Sequence, residues 1–181
     1  MIINKTELKG NFLIDLQPRV DVRGFFARYF CEKEFSKAGL NTRWVQINNS
    51  MSCNIGTLRG LHYQRAPHAE VKLVRCIRGS IWDVVVDLRS GSETYGKWFG
   101  ATLSEENRTM MYVPKGFAHG FVSLESDSEI LYLVSDFYAP EAEGTLIWND
   151  PDVGIKWPIN PQVLSDKDLK GRRLSELGVT L

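Results

Sequence analysis

Histidine and cysteine are both scarce in this chain, with three of each among 181 residues. The cysteines, Cys31, Cys53 and Cys76, are odd in number, widely spaced and form no Cys-x-x-Cys pair. That usage argues against a disulfide framework or a thiolate zinc site, and reduced, buried thiols are expected. Long hydrophobic runs are missing too: none approaches the roughly 20 apolar residues that cross a bilayer. The opening segment, Met1 to Glu7, lacks the apolar stretch of a signal peptide. A cytoplasmic protein with no membrane partner is the expectation. Nor does charge of one sign prevail. The 22 basic and 22 acidic residues leave no global field to draw in nucleic acid. An anionic ligand must therefore be held by local arginines and lysines.

What the chain does have is a succession of short apolar runs separated by glycines and prolines. Residues 11–16, 24–30, 43–52, 57–64, 71–78, 80–88, 97–103, 109–113, 119–124 and 128–138 read as strands. The period of two is plainest over 80–88, where Trp82, Val84, Val86 and Leu88 share one face and Asp83, Val85 and Asp87 the other. Only 31–39 reads as a helix, stopping at Gly39. The proline-rich stretch 139–162 reads as a long ordered loop, and the charged tail from about 164 to 178 as a helical or irregular wrap. With no repeat or linker, residues 1–181 are expected to form a single all-β domain, most simply a double-sheet jelly roll with few short helices.

Two of the three histidines lie in chemically loaded strings, Leu58-Arg59-Gly60-Leu61-His62-Tyr63-Gln64 and Pro114-Lys115-Gly116-Phe117-Ala118-His119-Gly120-Phe121. Imidazole takes and returns a proton near neutrality, so His62, close to Arg59 and Lys72, reads as a general base among groups that tolerate negative charge. Lys72 sits in an apolar strand with Val74 and Cys76 on its face, a costly position unless anionic density meets it. Strict alternation puts Arg59 and His62 on opposite faces; a bulge at Gly60 would bring them together. Tyr132 and Tyr138 share a parity, and a regular strand would hold them about 20 Å apart, one at each end of an extended ligand. His68 lies in a turn and reads as solvated.

Pro114-x-Gly116-x-x-His119 resembles the second-half signature of cupin barrels. Metal-holding cupins supply His-x-His and a following Glu from the first half, where this chain has His62-Tyr63-Gln64 and a more distant Glu70. No metal is therefore expected. Seven strings in order resemble the dTDP-4-dehydrorhamnose 3,5-epimerases. They are Asp21-Val22-Arg23-Gly24-Phe25-Phe26, Gln46 to Ser52, Leu58 to Gln64, Lys72-Leu73-Val74-Arg75, Pro114 to Phe121, Trp148-Asn149-Asp150 and Leu164-Ser165-Asp166-Lys167-Asp168.

The resemblance implies a cofactor-independent, homodimeric cupin that epimerises a nucleotide-diphosphate 4-keto-6-deoxy sugar through an enolate. It implies that His62 is the base and Asp168 its orienting carboxylate, although Asp166 in the same string is a second possibility. Lys72 is implied to stabilise the enolate, Tyr132 to be the acid on the opposite face, and Tyr138 to stack on the base. Arg23 and Arg59 become pyrophosphate clamps, a role suited to the bidentate guanidinium. Phe26 becomes a wall of the base pocket, while Gln46, Asn48, His119, Glu143 and Lys167 match substrate contacts. The chain departs from the family at Arg28, where glutamate is usual, at Ile47, where aspartate is frequent, and at Glu70, where glutamine is common. Arg28 reverses a charge at a position expected to face nucleotide or sugar. The rival readings are epimerisation at C3 or C5 alone, a non-catalytic sugar-nucleotide binding module, and a metal cupin oxygenase.

Overall fold

Alternation along the strands builds two facing antiparallel sheets. The structure, a computed structural model, describes residues 1–178, so the last three of the expected 1–181 unit lie outside the described residues. In chain order the strands are β1 (Ile2–Lys5), β2 (Phe12–Asp15), β3 (Arg19–Asp21), β4 (Gly24–Phe26), β5 (Gln46–Ser52), β6 (Leu58–Gln64), β7 (Lys72–Arg78), β8 (Ser80–Asp87), β9 (Trp98–Ser104), β10 (Thr109–Val113), β11 (Phe117–Ser123), β12 (Ser128–Val134) and β13 (Glu143–Thr145). Helix α1 (Glu32–Lys37) lies between β4 and β5, and α2 (Asp166–Leu169) follows β13. One sheet runs β1-β2-β10-β7-β12-β5 and the other β13-β6-β11-β8-β9. This is the expected jelly roll.

On β8 both faces are buried, and each serves a different core. Ile81 and Val85 point between the sheets, where they meet Val74 and Cys76 of β7, Phe117 and Phe121 of β11 and Ile130 of β12. Trp82, Val84 and Val86 face outward onto Leu61, Tyr63, Leu146 and Trp157. A third cluster packs Phe35 of α1 and Leu40 onto Leu73, Met110 and Ile14 of the larger sheet. Each fully buried Leu, Ile or Phe contributes on the order of 2 kcal/mol, so the between-sheet layer anchors the fold.

Several boundaries differ from the sequence reading, for local reasons. The run 24–30 is strand only over Gly24–Phe26, which pairs with β3 in a separate, wholly exposed ribbon. The run 43–52 begins pairing at Gln46, and 128–138 ends at Val134. Strand β13 lies within the stretch read as a loop. The tail is the short α2 and a 3-10 turn, Leu174–Glu176. Helix α1 stops as expected at Gly39, whose φ of +71° suits glycine. All three cysteines are free, but only Cys76 is buried; Cys53 is exposed, which corrects the expectation of uniformly buried thiols. Burial pushes the Cys76 thiol up to about 11, so it is inert at neutral pH. Among the described residues, no helix is long and apolar enough to cross a membrane.

Candidate active site

The two histidine strings become neighbouring strands. β6 and β11 pair antiparallel with His62 directly opposite His119 and Arg59 opposite Phe121. Three steps on β6 therefore match two on β11, so one extra residue bulges out between Arg59 and His62. That bulge answers the parity problem: Arg59 and His62 line the same cavity. Glycine is required here. A Cβ on Gly60 would stand 2.6 Å from the Gly120 Cα, and the φ of +132° at Gly60 suits no other residue.

His62 Nε2 lies 2.6 Å from Asp168 Oδ1. Because a carboxylate accepts, Nε2 is the donor of this bond, which leaves Nδ1 as the ring nitrogen free to exchange a proton. Asp168 belongs to α2, where its N–H donates to the Oγ of Ser165, the capping residue, at 3.2 Å. It is 3 % exposed, whereas Asp166 faces solvent, which decides between the two carboxylates. Burial alone would raise the Asp168 carboxyl, but hydrogen bonds from His62, Ser165 and the Gly60 backbone outweigh it and leave it below the ordinary value. It is an anion suited to holding an imidazole that gains charge.

His119 forms a parallel pair, with Nε2 2.8 Å from Oδ1 of Asp83. Asp83 is completely buried on β8 and its Oδ2 has no hydrogen-bond partner. Sequence reasoning missed Asp83 as a site residue. Its signal was available, since alternation set it on the face opposite Trp82, among the residues that point between the sheets.

Lys72 also points between the sheets, and its Nζ lies 3.2 Å from Oε1 of Glu70. Both side chains are largely buried, at 13 % and 11 % exposure. Tyr132 reaches the same space from β12. Burial, with the Glu70 charge second, raises its phenol above the ordinary value, so it is a neutral donor at physiological pH.

Two adjoining cavities, of about 510 and 360 Å³, both touch His62, Lys72 and Tyr132. The first also touches Arg59, His119, Lys167 and Asp168. Arg59 is braced by donating to Ser52 Oγ at 3.2 Å and to the Met51 carbonyl at 2.8 Å. The second cavity touches Gln46, Asn48, Glu70, Tyr138 and Glu143. Here the Tyr138 hydroxyl donates to Glu143 Oε2 at 3.1 Å and the Tyr138 N–H to Gln46 Oε1 at 2.9 Å. Lys167 closes the group with a bond to Glu143. The expected 20 Å separation of the tyrosines assumed a strand continuing to 138. Because β12 ends at Val134, Tyr132 and Tyr138 line one chamber.

Three expected site residues are not brought to these cavities within the chain. Arg23 projects from the β3–β4 ribbon and pairs with Asp21, leaving its side chain 85 % exposed. Phe26 and Arg28 line a separate cleft with Met1, Gln17 and Glu34. Among the described residues, no three His, Cys, Asp or Glu side chains converge to hold a metal ion.

An imidazole paired with a buried carboxylate, an ion-paired lysine and a neutral phenol meet around one jelly-roll cavity, an arrangement suited to a cupin-type isomerase. Comparison with known proteins narrows that class. The family model described as dTDP-4-dehydrorhamnose 3,5-epimerase matches residues 5–176. The dTDP-4-dehydrorhamnose 3,5-epimerase of Sinorhizobium fredii is 50 % identical over 88 % of this chain and 83 % of its own. The crystal structure of the enzyme of that name from Elizabethkingia anophelis superposes with a TM-score of 0.94 at 44 % identity, covering 97 % of both chains. The dTDP-6-deoxy-D-glucose-3,5-epimerase of Legionella pneumophila, solved with dTDP-4-keto-L-rhamnose, gives 0.92 at 40 % identity over 97 % of this chain and 94 % of that one. The chain belongs to the dTDP-4-dehydrorhamnose 3,5-epimerase family, as its seven ordered strings implied.

Proposed function

We propose that this chain inverts C3 and C5 of a dTDP-4-keto-6-deoxy-hexose, yielding dTDP-4-dehydrorhamnose for deoxysugar and cell-surface polysaccharide synthesis. The observation that carries this reading is the His62–Asp168 pair sharing one cavity with Lys72 and Tyr132. A hydrogen beside a ketone is removable once the developing enolate oxygen meets positive charge. In this reading His62 Nδ1 takes the proton from the carbon and Asp168 stabilises the imidazolium. Lys72 faces the keto oxygen as it gains charge. Tyr132 returns a proton from the other side of the planar enolate, which inverts the centre. Each proton-transfer group contributes about 10² to 10⁴-fold. Arg59 and His119 border the same space and fit polar contacts to substrate, with Arg59 suited to a phosphate. Tyr138, held by Glu143 and Gln46, fits a ring platform at the rim beside Asn48, with Lys167 joined to it through Glu143.

The remaining positions support a homodimer. The ribbon exposes Val20 at 79 %, Val22 at 104 %, Phe25 at 53 % and Phe26 at 63 %, an apolar display unusual for a monomer. Its Arg23 and Phe26, and Arg28 beyond it, are away from the chain's own cavity, so they fit contacts supplied to the site of a second copy. The chain is read as one cupin-type unit. Three free thiols and a nucleotide-sugar substrate fit a cytoplasmic enzyme. Incubation with dTDP-4-keto-6-deoxyglucose, followed by NMR of product configuration, tests the reaction. Inversion at both carbons is expected, and an unaltered sugar would overturn the reading. Sedimentation equilibrium tests the dimer.

A further inference from the structure

Glu70 is the acid of the cavity that the reaction above leaves unused. It sits two residues before Lys72, is nearly buried and lies 3.2 Å from the ammonium. It shares the smaller chamber with His62 and Tyr132. We propose that Glu70 is a positioning residue of this site: its carboxylate holds the Lys72 ammonium against the cavity wall and sets the charge that Tyr132 faces.

The physical grounds are independent of one another. A lysine on a flexible four-carbon stem needs a partner to keep one geometry, and Glu70 is the carboxylate that forms its ion pair. Burying the ammonium costs less beside a counter-charge. The same negative charge opposes ionisation of the Tyr132 phenol, adding to the effect of burial. Other titratable or charged groups bordering the joined chambers are Arg59 and His62 on β6, His119 on β11, Tyr138 beyond β12, Glu143 on β13, and Lys167 and Asp168 on α2. Arg59 acts against Glu70 by favouring the phenolate. Glutamine preserves the shape of Glu70 while removing its charge. A chain with glutamate should thus keep its acid protonated to higher pH than one with glutamine.

This inference rests on the epimerase reading, so its test has one arm that needs no turnover. Glu70→Gln is compared with the parent protein after labelling tyrosine Cζ with carbon-13, the Tyr132 signal being assigned by its loss in Tyr132→Phe. The Tyr132 titration should move to lower pH in Glu70→Gln by about one pH unit, a tenfold change in its ionisation equilibrium. In the second arm, the basic limb of the kcat profile should move the same way. At its optimum, kcat should fall about threefold to tenfold with KM changed less than twofold. An unmoved Tyr132 titration overturns the proposal, as does a raised KM with an unmoved kcat profile, which would make Glu70 a substrate contact. Absence of turnover in the parent protein would sink the epimerase reading instead, while the titration would still judge Glu70.

Discussion

The between-sheet cavity and the β3–β4 ribbon hold residues expected for one site, yet they are built in opposite ways. In the cavity three polar side chains are paired by the packed scaffold: His62 with Asp168 of α2, His119 with Asp83 of β8, and Lys72 with Glu70 just before β7. On the ribbon every residue is exposed, and Arg23 bonds only its neighbour Asp21. Groups that move protons must be held to fractions of an ångström by a packed scaffold. Groups that grip a flexible nucleotide tolerate a looser mount. The division predicts that substitutions in the cavity act on kcat and those on the ribbon act on KM.

The sharpest way to break that division is Asp168→Asn. The amide keeps the shape but cannot stabilise an imidazolium, so kcat should fall by about 10³-fold with little change in KM, measured by steady-state kinetics. Tyr132→Phe should lower product formation by about 10²-fold. It should also leave hydrogen exchange beside the ketone partly intact, because the base remains; NMR in deuterated water separates exchange from inversion. On the ribbon, Arg23→Ala with Phe26→Ala should raise KM by about tenfold, consistent with loss of roughly 1.4 kcal/mol of binding, and leave kcat within about threefold.

The smallest effect concerns stability rather than catalysis. Burial would raise the Asp87 carboxyl, but bonds from Arg89, Ser92 and Thr94 outweigh it and hold it at about 2, against an ordinary 3.8. The native state therefore favours the anion, and the resulting stability is present above pH 3.8 and lost as pH falls through about 2. Asp87→Asn should cost on the order of 2 kcal/mol at neutral pH in urea unfolding. The gap to the parent protein should narrow as pH falls through that window.

Legibility in the sequence followed the same division. Strands packed on both sides, such as β7 and β8, announced themselves as runs of aliphatic residues because burial on both faces selects for them. The β3 strand and the short β13 did not: neither buries an alternating face, and hairpin pairing alone leaves no apolar pattern. The histidine strings and Lys72 were readable, but the partner of His62 lies 106 residues away and the choice between Asp166 and Asp168 needed the fold. Asp83 looked like one more alternating residue until register set it beside His119. Tyr138 was misplaced because no residue before it marks the end of β12 as clearly as a glycine or proline would.

The proposed reaction turns on one imidazole. The most direct measurement is deuterium uptake by dTDP-4-keto-6-deoxyglucose in deuterated water, followed by proton NMR, with the parent protein and His62→Ala side by side. The parent should incorporate deuterium at C3 and C5, and His62→Ala, folded by circular dichroism, should incorporate none above the uncatalysed background. Full exchange in the alanine variant would contradict the account.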